Sequence, residues 1–170
     1  MNHETGTLTV SVIMNCLNCS KYLREAIDSV YAQTYKNWEI IFWDNASTDN
    51  SAEIAKSYDE KLRYFMGEKT VPLYAARNLA LKQAKGKYIA FLDCDDYWLP
   101  QKLERQVEIF ESDKNIGLVY SNVEILERSG FRRKKFNKKQ PSGRIFRYLL
   151  RKYNISLPTT IISKHVLESL

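Results

Sequence analysis

The sequence contains no apolar run close to the roughly 20 residues that a membrane-spanning helix needs. Its first seven residues are polar and lack both a basic start and an apolar stretch, so we expect no secretory signal and a cytoplasmic location. Glycine is scarce, and the segment 15–20 contains none. Because dinucleotide-binding and P-loop folds cradle phosphates with glycine-rich loops, the sequence argues against both classes.

Cysteine and histidine are also rare, with three and two residues. Cys16 and Cys19 form a Cys-x-x-Cys pair after a predicted strand. A zinc site would need two more ligands, and the sequence contains no second pair. A thioredoxin-like redox pair is one alternative. We predict instead that these are two unrelated thiols in a loop.

Acidic residues are almost absent from the last quarter of the chain. Residues 128–170 hold 12 lysines and arginines and a single acid, Glu168, whereas residues 1–127 hold 14 basic and 19 acidic residues. The basic side chains concentrate in 132–135, 138–139 and 144–152. Such a run suits nucleic acid, anionic lipid or an anionic substrate, and it is equally typical of a solvated loop.

The apolar pattern alternates between short runs and helical spacing, which predicts strands and helices in turn. This alternation predicts an α/β fold with a mostly parallel central sheet flanked by helices, in one domain over 1–170. The predicted strands are 8–14, 38–43, 62–66, 87–92 and 117–126. The predicted helices are 21–34, 51–58, 73–84, 101–112, 143–152 and 164–170, with an extended segment at 156–163.

Three polar loops, 15–20, 44–49 and 93–96, leave the carboxyl ends of predicted strands. Ligands of such sheets bind beyond these ends, so we expect the three loops to converge on a site. The last loop is an acidic turn, Asp93-Cys94-Asp95-Asp96. Its carboxylates repel one another unless a cation or hydrogen-bond donors lie between them. Oxygen ligands of this kind suit Mg²⁺ or Mn²⁺, although the aspartates could instead cap the following helix.

Four stretches together resemble family-2 glycosyltransferases. The run FLDCDDYWLPQKLE at 91–104 resembles the metal-binding acidic motif of this family. The stretches VSVIMNCLNCSKYL at 10–23, WDNASTDNS at 43–51 and ARNLA followed by AKGKYI at 76–89 resemble its nucleotide-binding loop, second-strand turn and following helix and strand. The similarity covers 8–126 and, more loosely, the rest.

The resemblance implies a GT-A fold, a nucleotide-diphosphate sugar as donor, a Mn²⁺ or Mg²⁺ ion, and transfer with inversion to a glycan or lipid-linked acceptor. It assigns 8–126 to the nucleotide-sugar-binding part and 127–170 to the basic, acceptor-side part. By position, the residues near the nucleotide would be Asn15, Leu17, Asp44 and Asn45. Arg77 would lie near the donor phosphates and Asp93 near ribose or sugar. The metal ligands would be Asp95 above all, with Asp93 and Asp96.

Two departures from the family pattern bear on the base. The first loop has Asn15-Cys16-Leu17-Asn18 where Pro-Thr-Tyr-Asn is frequent, so an aromatic stacking partner is missing at Leu17. The second turn has Asp44-Asn45 where two acids are common. These differences leave the identity of the base open, with uracil or thymine as the first choice.

A third departure concerns the general base that inversion requires. In the resembled family this acid follows the region that matches 156–170, and Glu168 does not fit its motif. The sequence therefore predicts either an N-terminal piece of a longer protein or a donor-binding domain without full activity, and we assign no catalytic residue.

The competing hypothesis is a non-catalytic α/β module that binds nucleotide sugar or a membrane. Aromatic residues interleave with the basic run at spacings that suit a core or a lipid-facing helix. Because the resembled family often uses lipid-linked acceptors, we expect peripheral membrane contact through 132–152, at the inner face of the cell membrane. We expect no nucleic-acid contact.

Overall fold

A six-stranded sheet forms the centre of the molecule in a computed structural model that describes residues 9–127 and 129–169. The sheet has the strand order β3-β2-β1-β4-β8-β5, and a separate hairpin pairs β6 with β7. The strands are β1 (Val10–Cys16), β2 (Trp38–Asp44), β3 (Leu62–Met66), β4 (Tyr88–Phe91), β5 (Leu118–Val119), β6 (Glu124–Leu126), β7 (Arg132–Lys134) and β8 (Ile161–Ser163). The helices are α1 (Ser20–Tyr31), α2 (Ser51–Lys56), α3 (Leu73–Leu81), α4 (Lys102–Ser112), α5 (Phe146–Leu149) and α6 (Lys164–Glu168).

The pairing of the strands confirms the predicted α/β class and the mostly parallel sheet. β1 pairs in parallel with both β2 and β4, and β2 pairs in parallel with β3. β8 is the exception, because it runs antiparallel to both β4 and β5. The carboxyl ends of β1, β2 and β4 therefore lie at one edge of the sheet.

Helices cover both faces of the sheet, which explains why its strands are almost continuously apolar. On one face Val12 and Met14 of β1 pack with Leu23 and Ile27 of α1 in the larger apolar core. On the other face Ile13 packs in a second core with residues from α3. Within the described residues, no helix is both long and apolar enough to span a membrane.

A buried polar network joins the strands at the opposite edge of the sheet, where they begin. Glu39 accepts hydrogen bonds from the Ser11 hydroxyl at 2.6 Å and from Arg63 at 2.8 Å. Gly86 donates its backbone N–H to the Ser11 oxygen at 2.8 Å. A Cβ atom at position 86 would lie 2.5 Å from the Ser11 nitrogen, so only glycine allows this approach.

The predicted strand 117–126 is wrong as a single element. It is divided between β5 in the main sheet and β6 in the hairpin. The side chain of Asn122 replaces the backbone at the break, since its oxygen accepts from the N–H groups of Val123 and Phe136 and its nitrogen donates to the Phe136 carbonyl. Local bonds of this kind compete with a strand ladder.

The remaining predicted elements differ from the structure mainly in length. The predicted helix 143–152 shortens to the four residues of α5, and the extended segment 156–163 begins with a 3₁₀ turn, Leu157–Thr159. The predicted boundaries at Leu8 and Leu170, and the predicted polar start at 1–7, lie outside the described residues.

Candidate donor site at the carboxyl edge of the sheet

The three polar loops predicted to converge do lie together. The backbone N–H of Asn18, after β1, donates to the Ser47 hydroxyl at 3.0 Å, and the Asn18 side-chain oxygen accepts from the Thr48 N–H at 2.8 Å. On the other side, the Cys94 thiol of the acidic turn donates to the Asn15 carbonyl at 3.2 Å. The end of β1 and the loop after it thus lie between the loops 44–49 and 93–96 and are hydrogen-bonded to both.

Asp44 and Asn45 are both buried, and their polar atoms are occupied by protein groups. The Asp44 carboxylate accepts from the Tyr64 hydroxyl at 2.7 Å and from the Ser47 N–H at 2.8 Å. The Asn45 amide donates to the Val71 carbonyl at 2.8 Å and accepts from the Val71 N–H at 3.1 Å. Asp44 therefore links the end of β2 to β3, and Asn45 links the same loop to Val71.

Asn15, near the end of β1, and Leu17, just after it, differ from Asp44 and Asn45 in the groups that they leave available. The Asn15 side-chain nitrogen is buried and has no hydrogen-bond partner. An unsatisfied buried donor costs about 1–3 kcal/mol, so its presence beside a loop cluster favours a ligand acceptor there. Leu17 is 44% exposed and offers an apolar surface at the same edge.

The acidic turn begins with an ion pair. Arg77 on α3 donates to the Asp93 carboxylate at 2.7 Å, and both side chains remain partly exposed. This contact brings together two residues that lie far apart in the sequence and that we predicted near the donor phosphates and sugar. Because Arg77 still has free donors, the pair can accept a phosphate without breaking.

Asp95 and Asp96 stand at the exposed tip of the turn. Desolvation at the turn raises the pKa of Asp96, and the nearby carboxylates of Asp95 and Asp93 raise it further. The three carboxylates do not converge on a single point within the part of the chain that the structure describes. The negative potential nevertheless suits a divalent cation held by Asp95 that completes its shell with waters and donor phosphates.

Buried side chains that the sequence analysis missed hold the segment that follows the acidic turn. The Gln33 amide, at the end of α1, donates to the Leu99 carbonyl at 2.9 Å and accepts from the Leu103 N–H at 3.0 Å. The Trp98 indole donates to the Pro158 carbonyl at 2.8 Å. The only sequence signals near these residues are the apolar spacing of α1 and the Trp-x-Pro motif at 98–100. Neither signal indicates a hydrogen bond between distant segments.

Lys102, the first residue of α4, lies behind the turn. Its ammonium lies 3.9 Å from the centre of the Trp98 ring and has no hydrogen-bond partner. Burial lowers the pKa of this lysine to about 7. The chain therefore carries three acids within the turn and a buried amine at the start of the helix that follows it.

Cys16 and Cys19, which we predict to be unrelated thiols in a loop, lie close to each other and to a third thiol. Their sulfur atoms and that of Cys94 all lie within 4.8 Å of one another. The acidic turn supplies the third thiol, which is 78 positions from Cys16 and carries no sequence signal as its partner. A hydrogen bond from Cys16 and a second from Cys94 lower the pKa of Cys19 to about 3.

Glu168, to which we assigned no catalytic role, lies at the opposite edge of the sheet. It belongs to α6, which begins where Lys164 donates its N–H to the Lys87 carbonyl at 2.9 Å, beside the first residue of β4. The Glu168 carboxylate faces the Lys164 ammonium at 3.8 Å. Its position agrees with leaving it out of the site.

Comparison with known proteins identifies the class to which this site belongs. Residues 11–168 match the family model Glycosyl transferase family 2, so the chain belongs to this family. Among curated proteins, it is 39% identical over 118 residues to the UDP-Glc:alpha-D-GlcNAc-diphosphoundecaprenol beta-1,3-glucosyltransferase WfgD of Escherichia coli, a match that covers 69% of this chain and 46% of that protein. The chain spans about half the length of the curated relatives it matches.

Solved structures confirm the predicted GT-A fold. TarS 1–349 from S. aureus superposes with a TM-score of 0.79 at 24% identity, over 95% of this chain and 48% of that one. The mannosyltransferase PcManGT from Pyrobaculum calidifontis, solved with GDP-Man and Mn²⁺, gives a TM-score of 0.72 at 22% identity, over 97% and 47% of the two chains. TarS has also been solved with UDP and with UDP-GlcNAc.

Proposed function

We propose that the protein transfers a sugar from a nucleotide-diphosphate donor, with inversion, to a glycan or lipid-linked acceptor. The observation that carries the proposal is the edge of the sheet where the unpaired Asn15 nitrogen, the Arg77–Asp93 pair and the exposed Asp95 lie together. In such a site Asn15 and Leu17 would contact the nucleoside, and Arg77 the diphosphate. UDP- or dTDP-sugars are the favoured donors, and WfgD is named for a UDP-Glc substrate.

A Mn²⁺ or Mg²⁺ ion bound at Asp95 would neutralise the charge that develops on the departing diphosphate. The protein's own contribution is to fix the carboxylate that binds the ion. The turn from Asp93 to Asp96 is closed by a 3.1 Å backbone hydrogen bond, and Gln33 holds the segment after it through the Leu99 carbonyl. PcManGT, which shares the fold, was solved with Mn²⁺, which supports a divalent ion in this protein too. We further propose that 8–126 binds the donor and that 127–170 lies on the acceptor side.

Thermal unfolding with Mn²⁺ and a panel of nucleotide sugars tests the proposal, since a ligand that binds only the folded state raises the melting temperature. A UDP- or dTDP-sugar with Mn²⁺ should raise it by several degrees at about 100 times the dissociation constant, equivalent to about 2.7 kcal/mol. Asp95→Ala should remove the Mn²⁺-dependent part of the shift. Glu60→Gln, an exposed acid away from this edge, should leave it unchanged. No shift with any donor at millimolar concentration would contradict the proposal.

A second candidate function, membrane docking through 132–152, is favoured by exposed apolar side chains among basic ones. Phe131 is 60% exposed, Phe146 72% and Leu150 71%. Basic residues near an anionic surface contribute about 1 kcal/mol each, and inserted aromatic rings add apolar burial. The protein should co-sediment with vesicles that contain anionic lipid, and Phe131→Ser with Phe146→Ser should weaken this several-fold. Equal binding to neutral vesicles would mean that the basic side chains do not contribute, and binding to neither would argue for a solvated loop.

A further inference from the structure

The three thiols of the chain lie on three separate pieces of backbone. Cys16 is the last residue of β1, Cys19 precedes the first residue of α1, and Cys94 lies inside the acidic turn. Cys16 and Cys94 are buried and Cys19 is half-buried. The three sulfur atoms lie within 4.8 Å of one another, and they are all the cysteines that the sequence contains.

The loop between Cys16 and Cys19 is folded so that both sulfurs face the same point. Asn18 adopts a left-handed conformation with φ 56°, which asparagine tolerates better than most residues. Its bonds to Ser47 and Thr48 fix that turn, and the Ser51 hydroxyl accepts from the Cys19 N–H at 3.1 Å. The thiol arrangement therefore belongs to the hydrogen-bonded framework of the loops rather than to chance contact of free side chains.

The spacing suits a metal ion of the zinc class. Zinc–sulfur bonds of about 2.3 Å in tetrahedral geometry place sulfur atoms roughly 3.8 Å apart. A spread of at most 4.8 Å thus needs only small side-chain rotations to close on an ion. Soft thiolates select Zn²⁺, whereas the hard carboxylates of Asp93 and Asp95 select Mg²⁺ or Mn²⁺.

We infer that Cys16, Cys19 and Cys94 form a binding site for a thiophilic divalent ion, Zn²⁺ in class, on the inner side of the acidic turn. Three protein ligands leave the fourth position for water, reached from the half-buried side of Cys19. Binding needs all three sulfurs as thiolates, so the ion displaces whichever thiol protons remain and the complex with one Zn²⁺ carries a net charge of −1. The Cys94 and Cys19 sulfurs now lie 3.2 Å and 3.5 Å from the carbonyl oxygens of Asn15 and Leu17.

The consequence for the fold is a cross-link. A bound ion would join the end of β1 and the start of α1 to the acidic turn, which the structure connects to them by packing and by the Cys94–Asn15 hydrogen bond. Ion binding should therefore stabilise the folded state, and the effect should not require nucleotide. This independence from the donor makes the inference separable from the proposed glycosyl transfer.

Cobalt titration tests the inference directly, because Co²⁺ bound by thiolates gives sulfur-to-metal charge-transfer absorption and visible bands of tetrahedral geometry. Reduced protein, stripped with a chelator and kept free of oxygen and added thiols, should develop these bands to a ratio of one Co²⁺ per chain. Zn²⁺ should displace the Co²⁺ and abolish the bands. Zn²⁺ alone should raise the melting temperature of the stripped protein, and a pH-sensitive dye should record the released protons.

Matched variants assign the signal. Cys19→Ser, at the half-buried position where a hydroxyl is tolerated, should lose the charge-transfer band and the Zn²⁺-dependent stabilisation while keeping its circular dichroism. Asp95→Ala should keep both, although it loses the Mn²⁺-dependent donor shift. Should a buried variant such as Cys94→Ser fail to fold, the cobalt stoichiometry and proton release of the unaltered chain still decide the matter.

Three outcomes would overturn the inference. The first is the absence of a sulfur-to-cobalt band in protein whose three thiols all react with a thiol reagent. The second is a band that persists in Cys19→Ser. The third is oxidation of two of the thiols to a disulfide at the same rate with and without added Zn²⁺. This would mean that the cluster is a redox pair and that the third thiol takes no part.

Discussion

The proposed donor half of the molecule, from β1 to α4, and its basic C-terminal part are stabilised differently. In β1, β2 and β4 nearly every side chain is buried, and polar residues such as Glu39 and Gln33 have partners on distant segments. Between 129 and 154 the elements are short, and large apolar side chains such as Phe146 and Tyr153 are more than 70% exposed. The first part is thus held by packing and buried hydrogen bonds, and the second presents its apolar surface outward.

The largest expected effect that tests this comparison is at Gly86. Gly86→Ala would place a Cβ 2.5 Å from the Ser11 backbone nitrogen, where no flexible side chain can yield. Overpacking against backbone should cost about 3 kcal/mol or more of the free energy of unfolding. Urea unfolding followed by circular dichroism measures it.

Gly143→Ala provides the control from the basic part. Gly143 has φ +82°, and a Cβ added there would meet no atom within 4 Å, so only backbone strain of about 1–2 kcal/mol is expected. A loss as large as that at Gly86 would mean that the basic part is as tightly packed as the donor half. A loss of less than about 1 kcal/mol at Gly86 would remove the basis of the contrast.

A smaller effect, which depends on pH, is expected at Lys102. Burial holds the pKa of this lysine at about 7 in the folded state against an ordinary value of 10.5. Between these values the unfolded chain binds the proton more tightly, so stability rises as pH increases from about 7 to about 10 and is constant for this group below that range. Lys102→Met should remove that rise.

The same variant should be more stable than the parent by about 2 kcal/mol near pH 6, where the parent must bury a charge, and by much less near pH 10. Unfolding midpoints at the two pH values give the comparison. Gln101→Met, on the exposed neighbouring residue, controls for the added apolar side chain. An equal gain at both pH values would indicate that packing, rather than proton binding, is responsible.

The contrast between the two parts also explains which predictions succeeded. The elements from β1 to α4 were found to within a few residues because each has a continuous apolar run or an apolar face at helical spacing. The acidic turn and its neighbours were found because the carboxyl ends of parallel strands must meet. In the basic part the apolar residues are exposed, so their spacing does not report a buried face.

What escaped prediction depends on contacts between distant residues. β8 runs antiparallel to β4 and to β5, its two neighbours in the sheet. The short apolar run that begins at Ile161 would suit either direction. The roles of Gln33 and Cys94 depend on partners 66 or more positions away. No local pattern in one sequence records such pairs.

The amide at position 45 carries a further consequence. Val71 presents both its N–H and its C=O to this side chain, as one peptide strand presents them to another. An aspartate at this position could accept from the Val71 N–H, but its carboxylate would repel the Val71 carbonyl oxygen. The segment at Val71 could then not be bound through both groups. The departure from the family pattern at position 45 therefore gives this chain a two-sided bond to the segment at Val71, which a second acid could not make.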